Sequence, residues 1–243
     1  MDVVELLPEL HLLRFEVGQA YLWRDAEGLT LIGSGAAGAG GAIADAILSV
    51  GSNPADLRRV VLTHFHEDHA GGAAEIAAWG GVEVFAHHRD ARVIRGESPA
   101  PPPVLSDAPE WERALFESVP KLPPAPPVAV DHAFGDHDVL PFGGGARAVA
   151  APGHTPSSTA FHLPAFGVLF LGDAVANVEG RTMVGVFNMD RARALESFRT
   201  LSRLDSEVAC FGHGEAIVGS ASATLRAAAD SRYGGQPEWQ ARG

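Results

Sequence analysis

The run Thr63-His64-Phe65-His66-Glu67-Asp68-His69-Ala70-Gly71-Gly72 places three histidines and an aspartate within six residues. Imidazole nitrogen and carboxylate oxygen are ligands that a borderline ion such as Zn²⁺ accepts. His64 and His66, two apart in an extended segment, can point the same way. Asp68 and His69 lie past the turn, where they can address a second ion a few ångströms away. Water held between two cations loses a proton near neutral pH, so the chemistry expected of this run is metal-assisted hydrolysis. The competing explanation is an accidental surface cluster of histidines, and the specific spacing argues against it. Gly71-Gly72 is expected to let the chain turn tightly into the next helix.

Three more donors recur in the same setting. His154 stands in Pro152-Gly153-His154-Thr155, Asp173 ends Leu171-Gly172-Asp173, and His213 stands in Phe211-Gly212-His213-Gly214. Each follows a short apolar run and sits beside glycine, where a sheet can hold it rigidly while the loop leaves access. The runs expected to be strands are Leu10–Val17, Tyr21–Arg24, Leu29–Ile32, Arg58–Thr63 and Val82–Ala86. In the second half they are Val128–Asp131, Ala146–Ala151, Thr159–Leu163, Val168–Leu171 and Val208–Phe211. Helical spacing covers Ala42–Val50, Gly72–Trp79, Pro109–Val119, Arg191–Leu204 and Ala221–Ser231. The order implies two similar β-rich halves packed as sheets with helices outside. Glu97–Pro127, with Pro101-Pro102-Pro103 and Pro123-Pro124, is expected to be a semi-rigid lid or insertion within one domain spanning residues 1–243.

Composition narrows the function classes. Lys plus Arg number 18 against 30 Asp plus Glu, a net charge of −12, which repels phosphate backbones and speaks against nucleic acid. The single cysteine, Cys210, cannot form an internal disulfide and reads as a core thiol. Asp2, Glu5 and Glu9 occupy the place where a signal peptide needs positive charge, and no apolar run approaches a bilayer span. The expected partner is a small-molecule substrate in the cytoplasm, with no nucleic acid, no membrane and a homodimer allowed.

With these motifs in this order, the sequence resembles the metallo-β-lactamase-fold hydrolase superfamily from about Tyr21 to His213. The resemblance implies an α/β fold, an αββα sandwich of two mixed sheets flanked by helices. It implies that His64, His66 and His154 bind one metal, that Asp68, His69 and His213 bind the other, and that Asp173 bridges them. Two divalent ions are implied, Zn²⁺ first, with Mn²⁺ or Fe²⁺ as substitutes. The implied reaction is attack of the shared hydroxide on an ester, lactone or thioester carbonyl, with Asp68 orienting it and passing its proton to the leaving group. The alternatives are a mononuclear iron enzyme acting on persulfides, a phosphoester or nucleic-acid hydrolase of the same fold, and a metal-binding protein without turnover.

Departures from the family pattern sharpen this. Members similar to glyoxalase II carry a helical domain after the last ligand, and only a short stretch follows His213. The acyl-homoserine lactonases use a tyrosine near the carbonyl, whereas Tyr21 and Tyr233 both fall outside the region after Asp173. True β-lactamases of this fold lack the bridging aspartate. Gly33 stands where many members carry an aspartate behind the ligand loop, which predicts slacker support or a substitute donor such as Ser34. Gly33 to Gly38 also match Gly-x-Gly-x-x-Gly, but the next strand ends in His64 rather than an acidic residue, against a dinucleotide site. Trp111, Phe116, Met183 and Phe187 are candidates to line the pocket. His87, His88, His132, His137 and His162 read as structural or surface residues.

Overall fold

Runs rich in Val, Leu, Ile and aromatic residues, punctuated by glycine, build two sheets in the computed structural model, which describes residues 1–231. The first sheet holds β1 (Asp2–Leu7), β2 (Leu10–Arg14), β3 (Gln19–Asp25), β4 (Gly28–Ile32), β5 (Leu57–Val61), β6 (Glu83–His87) and β7 (His132–Phe134), in that order. Its first four strands form an antiparallel meander, and β4 to β7 run parallel. The helices α1 (Gly40–Ser49), α2 (Glu67–Ala70), α3 (Ala73–Ala77), α4 (Ala91–Ile94) and α5 (Glu110–Ser118) fall between its later strands.

The second sheet is built from β8 (Val139–Leu140), β9 (Ala146–Ala150), β10 (Thr159–Leu163) and β11 (Val168–Gly172). A separate hairpin follows, β12 (Val175–Val178) with β13 (Arg181–Val184), then α6 (Arg191–Leu201), β14 (Val208–Phe211), β15 (Ile217–Val218) and α7 (Ala221–Ala229). The spatial order is β15-β14-β11-β10-β9-β8, with β14 parallel to β11.

Alternation along the strands produces three apolar layers. Leu31, Val60 and Val84 face Ile43, Ile47 and Ile76 on the helical side of the first sheet. Trp23, Val61, Phe85, Phe161, Phe170 and Cys210 fill the space between the sheets. Leu169, Leu171 and Phe211 meet Phe198, Leu201 and Leu225 outside the second. Each fully buried Leu or Phe in such a layer contributes roughly 1.5–3 kcal/mol, so the central layer locks the sheets face to face. This is the αββα sandwich that the motifs imply.

The structure amends several expectations. Val128–Asp131 is not a strand. Its chain is held by single bonds, Val128 N–H to Ile94 O and Asp131 N–H to Val84 O, and pairing starts only at His132. The strand β1 and the hairpin β12–β13 are additions to the elements expected from the sequence. Gly71 and Gly72, with φ, ψ of −62°, −37° and −81°, −10°, form the right-handed turn between α2 and α3, as expected, although neither needs a positive φ. They also permit close packing. A Cβ on Gly72 would lie 2.2 Å from Ser34 O, and one on Gly71 2.4 Å from Ala37 N. Among the described residues, no helix is long and apolar enough to cross a membrane.

Candidate metal centre

Four of the expected ligands sit just beyond the carboxyl ends of strands. His64 follows β5, His154 follows β9, Asp173 follows β11 and His213 follows β14. The two sheets are tied beside them, with Thr159 N–H donating to Thr63 O at 2.9 Å. All seven residues named from the sequence converge. Ligand atoms of His64, His66 and His154 form one group, and those of Asp68, His69, Asp173 and His213 form a second, each within 4.8 Å.

Asp173 lies between the groups. Its Oδ2 is 4.0 Å from His64 Nε2, 3.6 Å from His154 Nε2 and 3.2 Å from His213 Nε2. Asp68 Oδ2 is 3.3 Å from His69 Nε2 and 3.1 Å from His213 Nε2. A Cβ on Gly212 would fall 1.8 Å from Asp173 Oδ1, so only glycine leaves the carboxylate its place.

The donor set suits divalent cations on its own chemistry. His64 Nε2, His69 Nε2 and Asp173 Oδ1 are buried without a hydrogen-bond partner. His69 Nε2 and Asp173 Oδ1 are 3.0 Å apart yet outside hydrogen-bond geometry. His154 Nε2 is 2.9 Å from His66 Nδ1. Buried polar atoms left facing one another are costly, and a cation between them relieves that cost.

Electrostatics divides the two groups. Burial, then the neighbouring His69, holds His64 well below the usual imidazole value, and burial lowers His66. Burial, reinforced by His66, brings His154 down to about 4. These three rings are neutral and ready to ligate. Burial works against charge on His69 and His213 too, but Asp173 and Asp68 outweigh it, holding His69 well above the usual value and His213 at about 10. Conversely, burial would raise Asp68 and Asp173, and the His69 charge with its His213 neighbour holds both well below the carboxylate range. A cation entering the second group would therefore displace protons from His69 and His213.

Outer contacts hold the backbone that carries these residues. Next to Gly33, which brings no carboxylate, Ser34 ties down the ligand run: its N–H and its Oγ–H both donate to His69 O, at 2.7 and 2.8 Å. Ser34→Ala keeps the main-chain bond and loses the other, and is expected to cost about 1 kcal/mol of stability. Chemical denaturation checks this, and an unchanged midpoint would show the hydroxyl to be idle. Tyr21 proves to be a tie between the sheets. Its OH donates to Phe211 O at 2.8 Å and accepts from Phe211 N–H at 2.9 Å, two residues before His213. Tyr233 lies outside the described residues.

A family model described as the metallo-beta-lactamase superfamily matches residues 13–213. The chain belongs to that superfamily. Among curated relatives, the probable metallo-hydrolase YflN of Bacillus subtilis (strain 168) is 29% identical over 179 residues, 67% of this chain and 66% of the relative. A hydroxyacylglutathione hydrolase of Cereibacter sphaeroides is 29% identical over 65% of this chain, and the match spans 48% of that relative. This chain thus spans only about half to two thirds of the length of these two relatives. A metallo-β-lactamase family protein from Thermus thermophilus has a TM-score of 0.66 at 25% identity, covering 92% of this chain and 80% of its own. A Cronobacter sakazakii metallo-β-lactamase with a HARLDQ motif has a TM-score of 0.68 at 23% identity, covering 87% and 80%, a likeness of fold alone.

In this superfamily member the remaining candidates have plain roles. Cys210 is fully buried, and burial pushes its thiol well up. His132 stacks on Phe85, His162 Nε2 donates to Asp205 O at 2.9 Å, and His87 Nδ1 accepts from Arg89 N–H. The Gly33 to Gly38 loop is closed to a phosphate, because the Glu75 carboxylate already accepts from Gly38 N–H and Gly40 N–H. A cleft of about 190 Å³ borders the ligand run at Phe65 and Glu67, walled by Val93, Ile94, Pro124 and Pro126. The proline-rich ends of the excursion therefore shape a cleft, and Trp111, Phe116, Met183 and Phe187 do not line it. Phe116 and Phe187 pack on each other instead, edge to face at 5.2 Å. Sequence reading missed Glu112, which is buried on this excursion.

Proposed function

We propose that this chain is a hydrolase of ester-type bonds, acting on an ester, lactone or thioester of a small molecule. In this reading His64, His66 and His154 hold one divalent cation, Asp68, His69 and His213 a second, and Asp173 serves both. The observation that carries it is the position of Asp173 Oδ2, within 4.0 Å of ring nitrogens from both groups. When bound, zinc or a similar cation supplies Lewis acidity and eases deprotonation of a shared water.

The residues of the chain do the rest. Asp68 offers Oδ2 to His69 and His213, which leaves its second oxygen to orient the attacking water and pass its proton to the leaving oxygen or sulfur. His64, His69 and His154 are buried and exclude bulk water from behind. The His213 side chain is 37% exposed, so substrate approaches from its side. The names of the two curated relatives, a metallo-hydrolase and a hydroxyacylglutathione hydrolase, agree with hydrolysis. The net charge of −12 supports a small-molecule substrate over nucleic acid.

The test is elemental analysis of purified protein beside a panel of esters, lactones, thioesters and phosphodiesters. Zinc or manganese near two per chain, with turnover of a carbonyl substrate, is the expected result. Iron near one per chain with oxygen uptake on persulfides would replace this reading with an oxygenase.

A further inference from the structure

We propose that Glu112 is a positioning residue for His154, acting through the Val186–Phe187 peptide. The inference rests on the reading of His154 as a metal ligand. Glu112 is the one buried residue of α5, only 1% exposed. Its Oε1 accepts from Phe187 N–H at 2.6 Å, and its Oε2 accepts from the Arg191 guanidinium at 2.6 Å. The other end of the same peptide, Val186 O, is 3.0 Å from His154 Nδ1.

The chemistry of that chain of bonds runs one way. A carbonyl oxygen can only accept, so His154 Nδ1 must carry the proton. Its Nε2 then offers a lone pair toward His66 and Asp173. A carboxylate at the N–H end polarises the peptide and makes its carbonyl a stronger acceptor, which fixes the ring and raises the basicity of Nε2.

The backbone itself needs this anchor. Phe187 has φ of +58°, a left-handed conformation that an aromatic residue rarely adopts. With no acceptor at Phe187 N–H, the peptide is free to relax and turn its carbonyl from His154. Glu112 thus couples the docked proline-rich excursion to one histidine of the metal centre.

The experiment reads His154 in metal-free protein by ¹⁵N histidine NMR, and zinc affinity by competition with a chromophoric chelator. Wild type is expected to show the Nδ1–H tautomer. Glu112→Ala is expected to mix the tautomers and weaken zinc binding roughly tenfold or more. Glu112→Gln keeps an acceptor without the charge, so it should keep the tautomer and bind zinc more weakly than wild type. Phe116→Ala loosens the contact with Phe187 but leaves the carboxylate, and should keep near wild-type affinity.

A folded Glu112→Ala with the wild-type tautomer and zinc affinity would overturn the proposal. So would a Phe116→Ala loss as large as that of Glu112→Ala. If Glu112→Ala fails to fold, wild-type zinc affinity in Glu112→Gln overturns it. Because the tautomer is read without metal, a wild type that takes up no zinc would sink the metal reading separately.

Discussion

Asp173→Ala is expected to abolish hydrolysis and cut the bound metal to one ion per chain or fewer. Loss of an outer partner of a ligand already costs roughly 10- to 100-fold in affinity or activity, so loss of a carboxylate that serves both groups should exceed about 100-fold. The reason is local. Asp173 is the stronger in effect of the two anions that, with Asp68 the other, keep His69 and His213 charged in the bare site, and it lies within reach of His64, His154 and His213 together. His66→Ala should act as strongly from the other side, by removing the ring nitrogen that faces His154. Gly212→Ala offers an independent check, since its Cβ would overlap Asp173 Oδ1 and displace the carboxylate without deleting it. Metal content by elemental analysis and turnover on the best substrate of the panel give the readout, with near-ultraviolet circular dichroism to show the fold is kept. Full activity in metal-depleted His66→Ala protein would sink the two-cation mechanism.

How legible this centre is in the sequence depends on the range of the interactions involved. His64 to His69 is local, and the three later donors each end an apolar run beside glycine, so all can be named from pattern alone. The support of those donors is long-range and leaves little trace. Ser34 is recognisable only because Gly33 departs from the family pattern. Tyr21 bonds across 190 residues to Phe211, and Glu112 across 75 residues to a backbone N–H. Neither contact has a periodicity, and a glutamate on a largely exposed helix looks like any solvated charge. Strand ends fail for a related reason. Val128–Asp131 has strand propensity, but its partners Ile94 and Val84 belong to different elements, so no ladder forms until His132. The turn at Gly71-Gly72 is legible as local punctuation, whereas the close approach of Ser34 O and Ala37 N to that pair is long-range and leaves no trace.

The second large expectation concerns Asp90, outside the metal centre, and its sign is fixed by protonation. Asp90 lies between β6 and α4, is 2% exposed, and accepts a hydrogen bond from Ser157 Oγ. Burial pushes its carboxyl up to about 6, and the Ser157 bond only partly pulls it back. A carboxyl whose pKa is raised by folding binds its proton more tightly in the native chain than in the unfolded one. The native state is then favoured while Asp90 is protonated, and it loses that advantage as pH rises from about 4 through about 6. Above that range the cost of a buried anion is fully present, up to about 3 kcal/mol for a shift of this size. Asp90→Asn keeps an acceptor for Ser157 and cannot ionise. It is expected to be more stable than wild type at a pH of about 8 by up to that amount, and to match it near a pH of about 4. Urea unfolding of both proteins across this range is the measurement. A stability difference of the same size at both ends would mean that Asp90 does not change its protonation on folding. A less stable Asp90→Asn at the alkaline end would mean that the charged carboxylate is needed where it lies, bridging the turn before α4 to the loop that carries His154.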